Sequence, residues 1–269
     1  VIPCANGTDA LQIALMALDL KEGDEIITAD FTFAATVEVV HLLKLKSVLV
    51  DVDYDTFTID IEKLKAAITP KTKAIIPVHI FGQCANMEEI LKVAKEHGLF
   101  VIEDNAQAIG SDFIFSDGTV KKSGTMGILG TTSFFPSKNL GCYGDGGAIF
   151  TNDDELAHKL RGIVNHGMYE RYYHDEVGVN SRLDSLQATI LRKKLPLLDG
   201  YNEARRKAAD YYDEAFAENP NILTPKRAAY STHVFHQYTL RILNGQRNVL
   251  QKFLTEKEVP AMIYYPVAL

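Results

Sequence analysis

Long apolar runs are missing from this sequence of 269 residues. None reaches the roughly eighteen consecutive apolar residues that a membrane helix needs. Basic charge is short as well: 28 Lys and Arg stand against 35 Asp and Glu, a net charge of −7. That argues against a nucleic-acid binder, which carries a basic face. An anionic small ligand stays possible, because a few oriented amides and one or two bases override the global charge locally. Cysteine is scarce, with only Cys4, Cys84 and Cys142, odd in number and far apart. This speaks against a disulfide framework or a zinc site and for a reducing, cytoplasmic compartment. The histidines form no metal-binding spacing, and no Ser-His-Asp or Cys-His pairing follows from the sequence.

What is present describes a globular chain. The hydrophobic fraction is 46% and the charged fraction 23%, which excludes disordered and fibrous classes. The length suits one large or two modest domains. The start, VIPCANGTDA, has no basic segment leading into an apolar one, so no signal peptide is read there. Its residues run at once into a turn, and Pro260 to Leu269 reads as the middle of something. The expectation is a segment of a longer protein.

Strand and helix patterns alternate along the chain. Helical spacing is read over Asp9–Leu20, Phe33–Leu43, Ile61–Ile68, Met87–His97 and Asp153–Val164. Strands are read over Glu25–Thr28, Ser47–Val52, Lys73–Val78, Leu99–Ile102, Thr132–Phe135 and Ala148–Thr151. Such alternation predicts an α/β fold with a mostly parallel sheet between helices. Past Arg182 the pattern changes. Leu183–Phe216 reads as helix broken near Pro196 and Gly200, Phe235–Ile242 as a half-buried strand, and Gln246–Glu256 as helix. The division expected is a large domain over 1–195 and a smaller α+β part over 196–269.

In sheets of this kind ligands sit beyond the carboxyl ends of the strands, which directs attention to four segments. Asp104 in LFVIEDNAQAIG ends an apolar strand. A carboxylate there needs a partner, whether a metal, an Arg or a cationic ring nitrogen, or else caps the next helix. Glu103 points to the opposite face. Lys138 stands alone in the uncharged, Gly-rich SFFPSKNLGCYGDGGAIFT. Desolvation would turn it into a nucleophile, while the plain alternative is a solvated loop lysine. Asn6-Gly7-Thr8 opens a helix as a phosphate seat or an ordinary cap. Asn180 and Arg182 in GVNSRLDSLQA precede a helix, where Arg182 would grip an anion or make a surface ion pair. His79 is read as lining the site or as a hydrogen-bonded core residue, and Glu170–His174 as a substrate loop or an exposed turn.

NGTDAL, DFTFAAT, PVHIFGQ, IEDNAQAIGS, the Lys138 segment and GVNSRLDSLQA occur in that order. As a set they resemble the DegT/DnrJ/EryC1 family of sugar aminotransferases, enzymes of the pyridoxal phosphate (PLP) fold type I. NHGMYERYYHDEVGVNSRLD is similar to members that aminate the 3-keto group of a UDP-linked N-acetyl-hexosaminuronic acid. The resemblance implies that Lys138 links covalently to PLP and then moves protons, and that Asp104 pairs with the pyridinium nitrogen. It places Gln107 near the ring hydroxyl and Phe33 against the ring. Gly7, Thr8 and Ser133 would hold the phosphate. Asn180 would reach the phosphate of a neighbouring subunit, so a homodimer with shared sites is implied. Arg182 would meet the acid group of the sugar, and Tyr265 would line the site. The substrates implied are glutamate and a UDP-keto sugar, with a place in surface polysaccharide synthesis. No metal, nucleic acid or membrane is implied. The alternatives are a sugar dehydratase of the same family, which carries His in place of the lysine, a non-catalytic PLP-binding regulator, and a nicotinamide enzyme. The last lacks the strand–GxGxxG–helix fingerprint.

Overall fold

A computed structural model describes residues 1–267 and 269. The chain opens with strand β1 (Ile2–Cys4) and helix α1 (Gly7–Met16), followed by β2 (Glu25–Ala29), α2 (Ala35–Leu42) and β3 (Lys46–Val50). Then come α3 (Ile61–Ala67), β4 (Thr72–Ile76), α4 (Met87–His97) and β5 (Phe100–Asp104). A hairpin of β6 (Asp112–Ile114) and β7 (Val120–Lys122) leads to β8 (Leu129–Ser133), β9 (Gly147–Phe150) and α5 (Asp154–Ile163). A second hairpin, β10 (Met168–Glu170) and β11 (Tyr173–His174), precedes α6 (Ser185–Lys194) and α7 (Leu198–Phe216). The last elements are β12 (Ile222–Leu223), β13 (Arg241–Ile242) and α8 (Arg247–Glu256).

Seven strands form one sheet in the order β1-β9-β8-β5-β4-β2-β3. The run from β3 to β8 is parallel, and β9 and β1 are antiparallel. The strand period of two sorts residues between the faces. Ile26 and Ile102 pack with Ile13, Leu15, Val39 and Leu160, whereas Ile27 and Val101 pack with Leu64, Met87, Ile90 and Phe113. Each such aliphatic side chain contributes about 1.5–3 kcal/mol by leaving water. All five residues of β2 are buried, as a strand covered on both faces requires. Helix α4 shows how ends are fixed locally. Asn86 caps it, Glu88 and Glu89 sit in its first turn, Lys95 and His97 in its last, and Gly98 leaves it with a left-handed φ of 64°.

Several sequence expectations need correcting. A strand does precede Asn6: β1 pairs with β9. The strand read over Thr132–Phe135 lies earlier, at Leu129–Ser133. Gly200 does not break α7, and the interruption is the 3-10 turn Leu195–Leu197 around Pro196. Phe235–Ile242 is not a continuous strand, since only Arg241–Ile242 pairs, with Ile222–Leu223. The reason is local. The amide of Phe235 donates to His233 Nδ1 at 3.0 Å, and Arg205 Nη1 donates to the carbonyls of Phe235 and His236 at 2.9 and 3.2 Å. Side chains therefore occupy the backbone groups that a strand partner would use. Glu170–His174 is the exposed second hairpin. Among the described residues no helix is long and apolar enough to cross a membrane, and no cluster fit to hold a metal ion occurs.

Candidate active site

Beyond the carboxyl ends of β5 and β8 and above the start of α1 lies a cavity of about 610 Å³. Gly7, Thr8, Phe33, Asp104, Gln107, Ser133 and Lys138, seven residues singled out from the sequence, all line it. Each arrives by its own route. The parallel strands aim Asp104 and Ser133 at the same end of the sheet, and the helix after β1 brings Gly7 and Thr8 beneath them.

The floor is built for an anion. Asn6 caps α1 by accepting the Asp9 amide at 2.8 Å, which leaves the amides of Gly7 and Thr8 without partners among the described residues. Those amides sit at the positive end of a helix of 10 residues, with the hydroxyls of Thr8 and Ser133 alongside. Gly7 is required by space: a Cβ there would fall 2.7 Å from Ser133 Cβ. Any side chain would push the seat and β8 apart.

Asp104 is buried, and it takes Thr36 Oγ1 on Oδ2 at 2.8 Å and the Ala106 amide on Oδ1 at 3.1 Å. An ionised carboxylate has about four acceptor positions, so two donors hold it in place and leave capacity for a cationic partner. No helix follows β5, so Asp104 caps none; its Oδ1 holds the turn at Ala106 and the side chain still lines the cavity. Its neighbour Glu103 points to the other face, as alternation requires. There it is fully buried and accepts His79 Nε2 at 2.8 Å and the amides of Gly124, Met126 and Gly127 at 2.7, 2.5 and 2.6 Å. Burial alone would raise its pKa, but these donors hold it below the usual carboxylate value. His79 is thus a core residue and does not line the cavity. Its Nδ1 accepts the Ala85 amide at 3.1 Å, which fixes the neutral tautomer with the proton on Nε2.

Lys138 follows a tight turn in which its amide donates to the Phe135 carbonyl at 2.9 Å. Burial lowers its pKa while the nearby Asp104 charge opposes the shift, and the net direction is down. Its amine makes no hydrogen bond to the described residues. A desolvated, unpaired amine of this kind is a nucleophile and a proton carrier. Gln107 is held on both sides, accepting the Phe81 amide on Oε1 at 2.7 Å and donating through Nε2 to the Tyr265 hydroxyl at 3.3 Å. Phe33 stands at the mouth, 59% exposed.

Two of the singled-out residues lie elsewhere. Asn180 is exposed and bridges by its backbone to Asn165, and Arg182 is exposed and donates to Asn165 Oδ1 at 2.6 Å. Neither lines the cavity of its own chain. The sequence reading gave no role to Thr36, His236, Gln237 or Tyr264. Thr36 stands three residues after Phe33 in DFTFAAT, and that motif was its signal. His236 and Gln237 had none, because their segment read as a strand. Burial pushes His236 down to about 3, with Lys138 and Arg205 adding to the effect, so it stays neutral.

An anion seat, a carboxylate with spare acceptor capacity and a desolvated amine around one cavity fit a cofactor that carries a phosphate, a basic ring nitrogen and a carbonyl. The DegT/DnrJ/EryC1/StrS aminotransferase family matches residues 1–269. The chain is 51% identical to a pleiotropic regulatory protein of Geobacillus stearothermophilus, over all of this chain and 71% of that one. It is 49% identical to the UDP-2-acetamido-2-deoxy-3-oxo-D-glucuronate aminotransferase of Pseudomonas aeruginosa, over all of this chain and 72% of the other. Among solved structures it is similar to NtdA from Bacillus subtilis with bound cofactor PMP. The TM-score is 0.89 and the identity 33%, over 99% of this chain and 60% of that one.

Proposed function

This chain belongs to the DegT/DnrJ/EryC1/StrS aminotransferase family and uses pyridoxal 5′-phosphate, and from that premise we propose that it moves an amino group from glutamate to the 3-keto group of a UDP-linked N-acetyl-hexosaminuronic acid. The observation that carries the reading is Lys138 set beside Asp104 on a cavity floored by the start of α1.

In this reading the amides of Gly7 and Thr8 and the hydroxyls of Thr8 and Ser133 bind the cofactor phosphate. Phe33 covers the ring, Gln107 lies near the ring hydroxyl, and Asp104 keeps the ring nitrogen protonated. PLP supplies an electron sink for the negative charge left when a proton leaves carbon. Lys138 Nζ would hold the cofactor carbonyl at rest, and its free amine would move a proton between the α-carbon of glutamate and the cofactor in one half-reaction and between the cofactor and the sugar carbon in the other. Burial lowers the pKa of this amine, the direction that suits a base. Asn180 and Arg182 act in the cavity of a neighbouring protomer, Asn180 on the cofactor phosphate and Arg182 on the sugar carboxylate. The active unit is then a homodimer. In support, Phe33 and Phe135 near the mouth and Tyr143, Leu186, Leu195 and Leu197 around α6 leave large apolar areas exposed.

We divide the chain into a large cofactor-binding domain over 1–195 and a smaller part over 196–269, and place the enzyme in the cytoplasm, where it supplies amino sugar for surface polysaccharide. The likeness to a regulatory protein does not displace this reading, because a binding module has no use for a desolvated amine beside Asp104. Nor does a dehydratase, which carries His where Lys138 stands.

The test is the visible spectrum of the PLP-loaded protein before and after glutamate. A yellow colour that fades on adding glutamate supports the aminotransferase reading, and a UDP-3-keto-uronate that restores it supports the substrate. A protein that stays colourless with added PLP, or whose colour ignores glutamate, refutes it.

A further inference from the structure

Asn180 and Arg182 extend from the segment that begins at Gly178, and two sets of bonds hold that segment. On one side its backbone lies against the turn after α5. Val179 N donates to Ile163 O at 2.8 Å, Ser181 N to Val164 O at 3.0 Å, and His166 N to Val179 O at 2.9 Å. Glycine is needed at that crossing, because a Cβ on Gly178 would fall 2.1 Å from Gly167 N.

The other side rests on one side chain. Ser181 is fully buried, and its Oγ donates to Asp9 Oδ2 at 2.6 Å while accepting the Ala5 amide at 2.9 Å. Ala5 and Asp9 bracket the start of α1, where the phosphate seat lies. Ser181 therefore ties the segment to the seat of its own protomer, while the residues on either side of it face away from that protomer's cavity.

We propose that Ser181 is a positioning residue acting across the subunit boundary. By fixing its segment to Ala5 and Asp9, it holds Asn180 and Arg182 in the pose in which they complete the neighbour's cavity. This rests on the shared-site homodimer reading. The start of α1 then has two tasks, seating its own cofactor and anchoring the arm offered to the other site. Its own seat does not depend on Ser181. Asn6 separately caps α1, and Leu11, Ile13 and Leu15 bury its inner face. Among the described residues no other side-chain hydrogen bond ties the arm to α1.

The experiment uses hybrid dimers of the full chain, with differently tagged protomers purified as pairs. The Ser181→Ala homodimer should lose about tenfold in kcat/KM for the sugar, the effect of one orphaned buried donor. Paired with a Lys138→Ala protomer, the Ser181→Ala protomer keeps its own lysine and receives an intact arm. That hybrid should regain about half the activity of the unmodified dimer, which has two working sites against its one. A hybrid as weak as the Ser181→Ala homodimer means that Ser181 acts on its own site, and overturns the proposal. An Asn180→Ala protomer paired with Lys138→Ala is the control. If that hybrid also fails to recover, the shared-site reading itself is wrong.

A second readout needs no turnover. In the cofactor-free protein, amide exchange over 178–184 should quicken in Ser181→Ala while that of α1 stays unchanged. Unchanged exchange over 178–184 overturns the proposal as well. Ser181→Cys keeps the volume and a weaker donor, should fall between the two proteins, and replaces the alanine variant should that one not fold.

Discussion

Replacing Glu103 by Gln changes one oxygen for one NH₂ and leaves the shape intact, which makes it a direct probe of the buried carboxylate. Oε1 receives the Met126 and Gly127 amides, and Oε2 receives the Gly124 amide and His79 Nε2–H. An amide side chain offers one acceptor oxygen. Whichever way it turns, its NH₂ faces two donors that lose their partner. His79 gives no relief, because shifting its proton to Nδ1 would strand the Ala85 amide. Two orphaned buried donors cost about 1–3 kcal/mol each, so the variant should lose roughly 2–6 kcal/mol. For a chain of this size about 2–4 °C of Tm goes with each kcal/mol, a fall of about 4–24 °C in thermal unfolding followed by circular dichroism. The pH dependence has a sign. A carboxyl whose folded pKa is depressed contributes stability above its unfolded value, near 4.3, and loses it as pH falls through the folded value. The unmodified protein should therefore weaken across that acidic range, and Glu103→Gln should show a flatter profile there. A Tm within a degree or two of the parent would mean that the four donors find other partners and that the carboxylate is not the clamp described.

Lys138→Ala should abolish turnover while PLP still binds without covalent attachment, seen as cofactor lost on gel filtration in denaturant after borohydride treatment, which fixes it to the parent protein; normal turnover refutes the central assignment. Arg182→Ala should raise KM for the acidic sugar by about tenfold or more, the loss of one charge-assisted contact, and leave the glutamate half-reaction near normal. Equal damage to both halves removes its proposed selectivity. Gly7→Ala, with its Cβ 2.7 Å from Ser133 Cβ, should weaken cofactor binding far more than it lowers Tm, measured by PLP titration of the cofactor-free protein. Unchanged affinity would place the phosphate elsewhere.

The alternating pattern carried most of the fold because its signals are local. Apolar runs such as Leu99–Ile102 mark strands covered on both faces, and Asn86 and Gly98 mark the ends of α4. The cavity was legible for a related reason: in a parallel sheet the residues just past the strands share one edge, so Asp104 could be found without coordinates, whereas Ser133 was named only through the resemblance of its motif. What stayed hidden depends on distant partners. Phe235 looks like strand, yet His233 and Arg205 claim its backbone groups, and nothing near it in the sequence announces Arg205. His79 was left between two roles because the bond from Ala85 and the carboxylate of Glu103 decide its place together. The short hairpins over 112–122 and 168–174 were missed because three-residue strands carry too little periodicity to stand out.

The bond between Gln107 and Tyr265 joins positions 158 apart, and that between Asp9 and Ser181 joins positions 172 apart. Closing such long loops carries an entropic penalty that nearby contacts do not. During synthesis the helix that seats the phosphate emerges early, whereas the Tyr265 side of the cavity leaves the ribosome some 250 residues later at this chain's own spacing. The enclosure of the cavity is thus complete only once Tyr265 has emerged, and a fragment that ends before it carries the seat without that wall.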